Sequence, residues 1–386
     1  MSLPSDCSPI RADHTPSTLV APEPKVVQAG THRMRTAEET LARLAPLLYG
    51  LGISRVADVT WLDDIGMPVF QAVRPKSRCL AVSQGKGITA PLAKVSAIME
   101  CLEVRAAESP TVALKRTLAR DLELPYDVGA LARDHFEALA RTAALSWCAA
   151  VDLQSGAQTF VPLGGVTMDW TVLDRWSPSI FESNSNGLAS GNSFSEAAVH
   201  GLCEVLERWG LATPDPVRIG PATVTEGSAA HLIERFSDAG LVPEIVFFPN
   251  AGGIPVFTAV LPSDNFPVAF RGHGCHLDAD VALCRALTEA AQSRATHIAG
   301  SRDDMWESTY EWRATRWRPA EYPSLAYPDA VAGLTALPSG DVAEDLRILL
   351  ASIRDAHPVV LAVDLSVVVG VHVVKVIIPT LPRYLG

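Results

Sequence analysis

Positive charge is what this sequence has least of. Its 386 residues carry 32 Lys and Arg against 43 Asp and Glu, a formal net charge of −11. No basic stripe is available to neutralise a nucleic-acid backbone, and that class of partner is excluded. A small phosphorylated ligand is not excluded, because a few local cations and a bound metal suffice for it. Long apolar runs are missing too. The start, MSLPSDCSPIRADHTPST, shows no basic segment followed by an apolar one, so no signal peptide is expected. The most apolar stretch, Val359 to Ile378, is interrupted by Asp364, Gly370, His372 and Lys375. It predicts two buried β-strands and no membrane span. Paired cysteines are absent as well. The seven cysteines fall at 7, 79, 101, 148, 203, 275 and 284, with no C-x-x-C among them. A disulfide framework and a structural zinc site are excluded, and a cytoplasmic location fits.

What is present suits a globular protein. The chain is 48% hydrophobic and 19% charged, enough for a sizeable core. Residues 1–25 are rich in Pro, Ser and Thr without periodicity, and predict a disordered N-terminal leader. Residues 26–386 are expected to form a single domain. Thr36-x-x-Glu39 is a capping-box pattern opening a helix from Ala37 to Leu48. Strands are predicted at Val56–Trp61, Val69–Val73, 244–248 and 254–261, besides the two within 359–378. Residues 302–340 hold three tryptophans, three tyrosines and several prolines, and predict an irregular surface excursion. The fold class is α+β, with mixed sheets, packed helices and internal repeats.

The repeats carry the argument. One pattern occurs three times, beginning at Gly85, Gly187 and Gly272. Each copy has a glycine-bearing strand or loop, an N-cap and then a helix. The caps are Thr89, Ser193 and Asp278. Four residues on stands an alanine: Ala93, Ala197, Ala282. Seven further stands a glutamate: Glu100, Glu204, Glu289. Three further stands a second acceptor: Glu103, Glu207, Gln292. No gap is needed. Ser193 and Glu196 also match a capping box. Acceptors at i and i+3 share one helix face, so three helices can aim six oxygen-bearing side chains at one place.

A lone E-x-x-E is common on solvated helix faces. Here Val95, Ile98, Met99, Leu102, Val205, Leu206, Ala286 and Leu287 surround the acceptors, which implies burial. Buried carboxylates cost several kcal/mol each unless cations meet them. Mg²⁺ is a hard ion that takes oxygen ligands and keeps water and substrate phosphates in its shell. Gly85-Lys86-Gly87 adds a lysine and close backbone approach for phosphate oxygens. Arg208 and Arg294 follow two of the acceptor pairs and can neutralise phosphate charge.

At these residues the sequence resembles the YcaO family. The likeness runs from about Gly30 to about Pro379. It rests on Ser96-x-x-x-Glu100-x-x-Glu103, S-N-G-x-A-x-G from Ser185 to Gly191, Glu204-x-x-Glu207-Arg208 and Glu289-x-x-Gln292-Ser-Arg294. The resemblance implies a YcaO-type ATP-binding fold and use of ATP and Mg²⁺. It implies activation of a peptide backbone amide by O-phosphorylation. By motif, Glu100, Glu103, Glu196, Glu204 and Glu207 look like metal ligands, with Glu196 in a competing capping role. Glu100, Glu103, Glu204, Glu207 and Arg208 look like the catalytic set. Lys86, Ser96, Ser185, Asn186, Arg208, Glu289, Gln292 and Arg294 look like nucleotide contacts. A homodimer is implied by the likeness alone.

The stretch from Gly30 to Pro75 looks like the subgroup that works beside a TfuA protein and installs thioamides with external sulfur. The tail Pro379-Thr-Leu-Pro-Arg-Tyr-Leu-Gly386 departs from the P-x-P-x-P ending common in azoline-forming cyclodehydratases, which favours thioamidation. The expected partners are therefore a precursor peptide or protein and a TfuA-like protein. The substrate is recognised either by that partner or on the 105–180 region. The cyclodehydratase and a non-catalytic accessory protein that binds peptide and partner remain as alternatives. Gly272-His273-Gly274-Cys275-His276 is too short to wrap three side chains around a tetrahedral ion and reads as the third glycine loop. Cys101 and Cys203 read as packing, with sulfur carriage as the other use. Arg302-Asp303-Asp304 either closes the site or lies on the surface.

Overall fold

The computed structural model describes residues 22–171, 178–263, 266, 268–302, 304–305, 310–311 and 321–381. Its elements follow the chain in four sheets. A hairpin of β1 (Val26–Gln28) and β2 (Thr31–Arg33) leads into α1 (Ala37–Leu44). Thr36 and Glu39 cap this helix reciprocally, as their spacing predicts. The helix is shorter than expected. Pro46 has no N–H to donate, and Ala45–Leu47 tighten into a 3-10 turn. Next, β3 (Arg55–Asp58), β4 (Val69–Val73) and β5 (Val82–Lys86) make an antiparallel three-stranded sheet, on which α2 (Ala90–Ala107) packs. Strand β3 ends before Trp61 because the Asp58 carboxylate accepts from Thr60 N at 2.9 Å and starts a turn.

A second sheet begins with β6 (Leu114–Leu118). After α3 (Glu137–Thr142) come β7 (Ala144–Asp152), β8 (Gln158–Pro162) and β9 (Leu188–Gly191), and α4 (Phe194–Leu211) follows. A third sheet holds β10 (Val217–Ile219), β11 (Glu244–Phe247), β12 (Val256–Leu261) and β13 (Phe270–Cys275), with β14 (Ser324–Leu325) parallel on its edge. It carries α5 (Gly227–Asp238) and α6 (Ala279–Ala299). After α7 (Tyr327–Val331) and α8 (Val342–Ile353), β15 (Leu361–Asp364) and β16 (His372–Ile377) return to the second sheet. Its order is β6-β7-β15-β16-β9, with β8 on β7. The two strands expected within 359–378 are thus present and divided at Gly370. Expectation and structure differ for 302–340. Residues 324–331 form β14 and α7, while 303, 306–309 and 312–320 lie outside the described residues.

The boundary at residue 25 also moves. Residues 1–21 lie outside the described residues, but 22–25 are built into the fold. Val342 N donates to Glu23 O at 2.8 Å and Lys25 N to Gly340 O at 3.0 Å. The Glu23 carboxylate accepts from Ser193 Oγ and Ser195 Oγ, and Lys25 pairs with Asp345. This strap ties the starts of α4 and α8 together.

The three repeats share one seam. In each, a strand glycine lies against the backbone of the helix that follows it. A Cβ on Gly85 would stand 2.0 Å from Ala97 N and 2.2 Å from Ala93 O. One on Gly191 would meet Ala197 N at 2.5 Å, and one on Gly274 would meet Ala282 O at 2.0 Å. The alanines that recur four residues after each cap are therefore the helix side of this contact. Glycine and alanine together let strand and helix backbones touch. Gly85 and Gly87 both press on the helix that follows, and Gly87 also lines the cavity of the paired acceptors. The region of Gly272 is strand, not loop.

Candidate active site

All three caps form. Thr89 accepts from Leu92 N, Ser193 from Glu196 N, and Asp278 from Asp280 N and Val281 N. With starts fixed alike and each helix pinned to its glycine strand, equal offsets from the cap face the same way. Offsets of seven, eleven and fourteen give Ser96, Glu100, Glu103 on α2, then His200, Glu204, Glu207 on α4, then Arg285, Glu289, Gln292 on α6. All nine line one cavity of about 620 Å³. At the seven-residue offset the sequence motif gives Ser96 but not His200 or Arg285, although i, i+4, i+7 is one helical stripe. The signal was one turn before each first glutamate.

The charges divide into two groups. On α6, burial opposes ionisation of Glu289, but Lys86 forms an ion pair with it and holds it below the usual carboxylate range. On α2 and α4, burial wins. It pushes Glu103 up to about 8 and Glu204 up to about 7. Ser190 Oγ donates to Glu103 at 2.6 Å without reversing this. Glu207 is pushed up to about 8 by burial and by Glu289. Burial raises Glu100 also, against the pull of Arg302 and a 3.2 Å bond from Gln84 N. Arg208 stands 3.9 Å from Glu207, and Arg302 pulls on Glu100, but burial outweighs these cations and leaves all four carboxylates raised.

Cations stand beside these carboxylates. Arg33 and Arg285 both reach His200 Nε2, at 2.8 and 2.6 Å. Burial and these two guanidiniums hold His200 well below its ordinary value, so it accepts as a neutral ring. Arg285 Nε and Gln28 Oε1 are buried without a partner. Arg302 lines the cavity and donates to Asp304 at 2.6 Å; Asp303 lies outside the described residues.

Most expected residues meet here: Lys86, Ser96, Ser185, Glu196 and Arg208 line the same cavity. Three expectations are corrected. Arg294 does not reach it. Its guanidinium is buried against Asp63 at 2.9 Å and Ser263 at 2.9 Å, beneath which Phe270 stacks. At offset sixteen it leaves the stripe, since two residues past Gln292 is a turn of about 200°. Asn186 lines a neighbouring cavity instead. Glu196 does not complete its capping box. Its carboxylate accepts from Met34 N at 2.9 Å and Asn192 Nδ2 at 3.2 Å, fastening the β1–β2 hairpin's exit to α4. Of the cysteines, Cys101, Cys203 and Cys275 are buried, with the Cys101 thiol pushed up by burial, as packing requires. His273 bonds to Thr258 at 2.8 Å and serves strand pairing.

The donor set suits Mg²⁺ with a triphosphate. Hard oxygens, guanidiniums and Lys86 line one cavity together with the orphaned atoms of Arg285 and Gln28. Among the described residues, no three His, Cys, Asp or Glu side chains close on a single point as a complete shell. Magnesium fits such a wall, because phosphate oxygens and waters complete its coordination.

Comparison with known proteins agrees. The model of the YcaO cyclodehydratase family, ATP- and Mg²⁺-binding, matches residues 84–382, and the chain belongs to that family. An uncharacterized protein of Mycobacterium tuberculosis, Rv1375, is 42% identical over 287 residues, 73% of this chain. That match spans 65% of the relative, less than two thirds of its length. An uncharacterized protein in the tfuA 3′ region of Rhizobium leguminosarum bv. trifolii is 38% identical over 299 residues, covering 72% of this chain and 70% of its own. YcaO from Methanopyrus kandleri, solved with AMPPCP and Mg²⁺, superposes with a TM-score of 0.70 at 23% identity, over 92% of this chain and 94% of that one. The fold is thus the YcaO fold. No described helix is long and apolar enough to cross a membrane.

Proposed function

We propose that this chain uses Mg·ATP to activate a backbone amide of a peptide, and that it does so to install a thioamide with sulfur from outside the peptide. The carrying observation is the nine-residue stripe, with four carboxylates raised by burial and Lys86, Arg208, Arg285 and Arg302 lining the same cavity. Bound Mg·ATP supplies the phosphoryl group that turns the amide oxygen into a phosphate leaving group. The protein's residues do the positioning. Glu100, Glu103, Glu204 and Glu207 hold the metal side, and Glu196 keeps the hairpin in place. Glu289 orients Lys86 toward the cavity, where Lys86, Arg208 and Arg302 neutralise phosphate charge. Ser96, Ser185 and Gln292 offer uncharged hydrogen bonds. The transfer is then mostly a matter of alignment and charge.

The thioamide reading is supported by the tfuA-region relative, and it implies a TfuA-like partner. The family description favours a second reading, an azoline-forming cyclodehydratase acting on Cys, Ser or Thr. Mass spectrometry of a candidate peptide incubated with the protein, Mg·ATP, sulfide and a TfuA-like partner separates them. Replacement of oxygen by sulfur, lost in Glu100→Ala, is the expected result. Loss of one water gives the cyclodehydratase. No mass change and no ATP consumption across several peptides overturns both readings.

A further inference from the structure

A second cavity, of about 440 Å³, lies across Arg208 from the first, and that side chain lines both. Its walls are of another kind. Val205, Trp209 and Leu211 come from the last turns of α4, and Ile378 and Leu381 from the chain leaving β16. Its lining also includes the polar residues Glu182, Asn184, Asn186 and Lys375. Lys375, buried on β16, donates to Asn184 O at 2.6 Å. The buried Oδ1 of Asn186 has no partner. An unpaired buried amide oxygen costs free energy until an N–H reaches it.

We propose that this second cavity holds the residue of the substrate peptide beside the activated amide, and that it selects a bulky apolar side chain. The inference rests on amide activation at the first cavity. A phosphoryl acceptor has to come within reach of the first cavity, and Arg208, which lines both, marks where the two adjoin. An incoming peptide brings backbone N–H groups, which the Asn186 carboxamide oxygen lacks. The apolar walls reward a leucine- or phenylalanine-sized side chain, and the volume falls in the range of about 300–1,000 Å³ usual for ligand pockets. Ala130, Leu131 and Gly165 close the far side, so part of the 105–180 region takes part in recognition.

Two substitutions narrow the cavity from separate segments of its lining. A Cβ on Gly165 meets only Phe181 Cβ, at 4.0 Å, and Ala212 is an exposed αR residue closing α4. The probe is the capped peptide acetyl-Gly-photoleucine-Gly-amide, irradiated with the full chain and Mg·AMPPCP and mapped by mass spectrometry. Adducts are expected on residues 205–212 and 375–381, and both Gly165→Leu and Ala212→Phe should reduce them by about tenfold, a loss of about 1.4 kcal/mol of binding. Calorimetry should show unchanged Mg·AMPPCP affinity in both variants. Adducts elsewhere, or adducts undiminished in both, overturn the proposal. So do adducts that form only after residues 382–386 are deleted, since the chain itself then fills the cavity. Failure of amide activation reads out separately, as absence of peptide modification by the unaltered protein with the adducts still in place.

Discussion

The α6 part of the stripe and the α2–α4 part are built on one register and differ in charge. Glu289 has its cation within the protein and stays ionised, whereas Glu103, Glu204 and Glu207 are pushed up to about 8, 7 and 8 by burial. Repetition of the strand–helix unit fixed where the side chains point. Their surroundings then divided the labour. Lys86 makes one carboxylate a structural anchor, and the others become sites whose ionisation must be met from outside.

The largest test of that division is Glu100→Ala or Glu204→Ala. Either should weaken Mg·AMPPCP binding by more than about 100-fold, beyond what losing a group that merely supports a ligand costs. Calorimetric titration checks this, and a change under tenfold would remove them from the metal side. Next in size is Arg294→Ala. Leaving Asp63 buried without its cation should cost about 3–5 kcal/mol in denaturant unfolding, with Mg·AMPPCP affinity in the folded protein unaltered. A loss of affinity without loss of stability would return Arg294 to the site.

A pair of substitutions with opposite signs sharpens the comparison. Glu289→Gln should destabilise the ligand-free protein by about 1–3 kcal/mol, because Lys86 loses its partner. Glu103→Gln should leave it equally or more stable, since a carboxylate that burial disfavours is gone. Thermal unfolding of the two side by side decides it. The same comparison can be sharpened with pH. Glu103, Glu204 and Glu207 bind protons more tightly folded than unfolded, so the folded state holds more protons between about pH 4.5 and 8. Stability of the ligand-free protein then falls as pH rises through that window, by the linkage relation. Mg²⁺ affinity should rise over the same range, because the metal requires the ionised forms. Parallel pH series of unfolding and of metal binding test both slopes.

The caps and the paired acceptors were readable because they are local. Thr89, Ser193 and Asp278 bond to backbone two or three residues away, and i, i+3 neighbours share a face whatever surrounds the helix. The seven-residue offset is equally local, yet only Ser96 is legible there, because His200 and Arg285 do not look like serine as letters. Glu196 shows the limit of local signals: its spacing matches a capping box, yet Met34 N and Asn192 claim its carboxylate. Arg294 shows the same limit, as its motif position gives no hint of Asp63, 231 residues away.

By itself, then, the sequence determined the three units, their helix starts, the register of the acceptors and the family to which they belong, all set by neighbours along the chain. Tertiary structure alone decided that the recurring glycines serve helix packing, that Lys86 belongs to Glu289, that Arg33 and Arg285 meet at His200, and that Arg208 stands between two cavities. Those outcomes depend on which segments are brought face to face and on how far each charge is removed from water, and neither quantity is written in the spacing of residues.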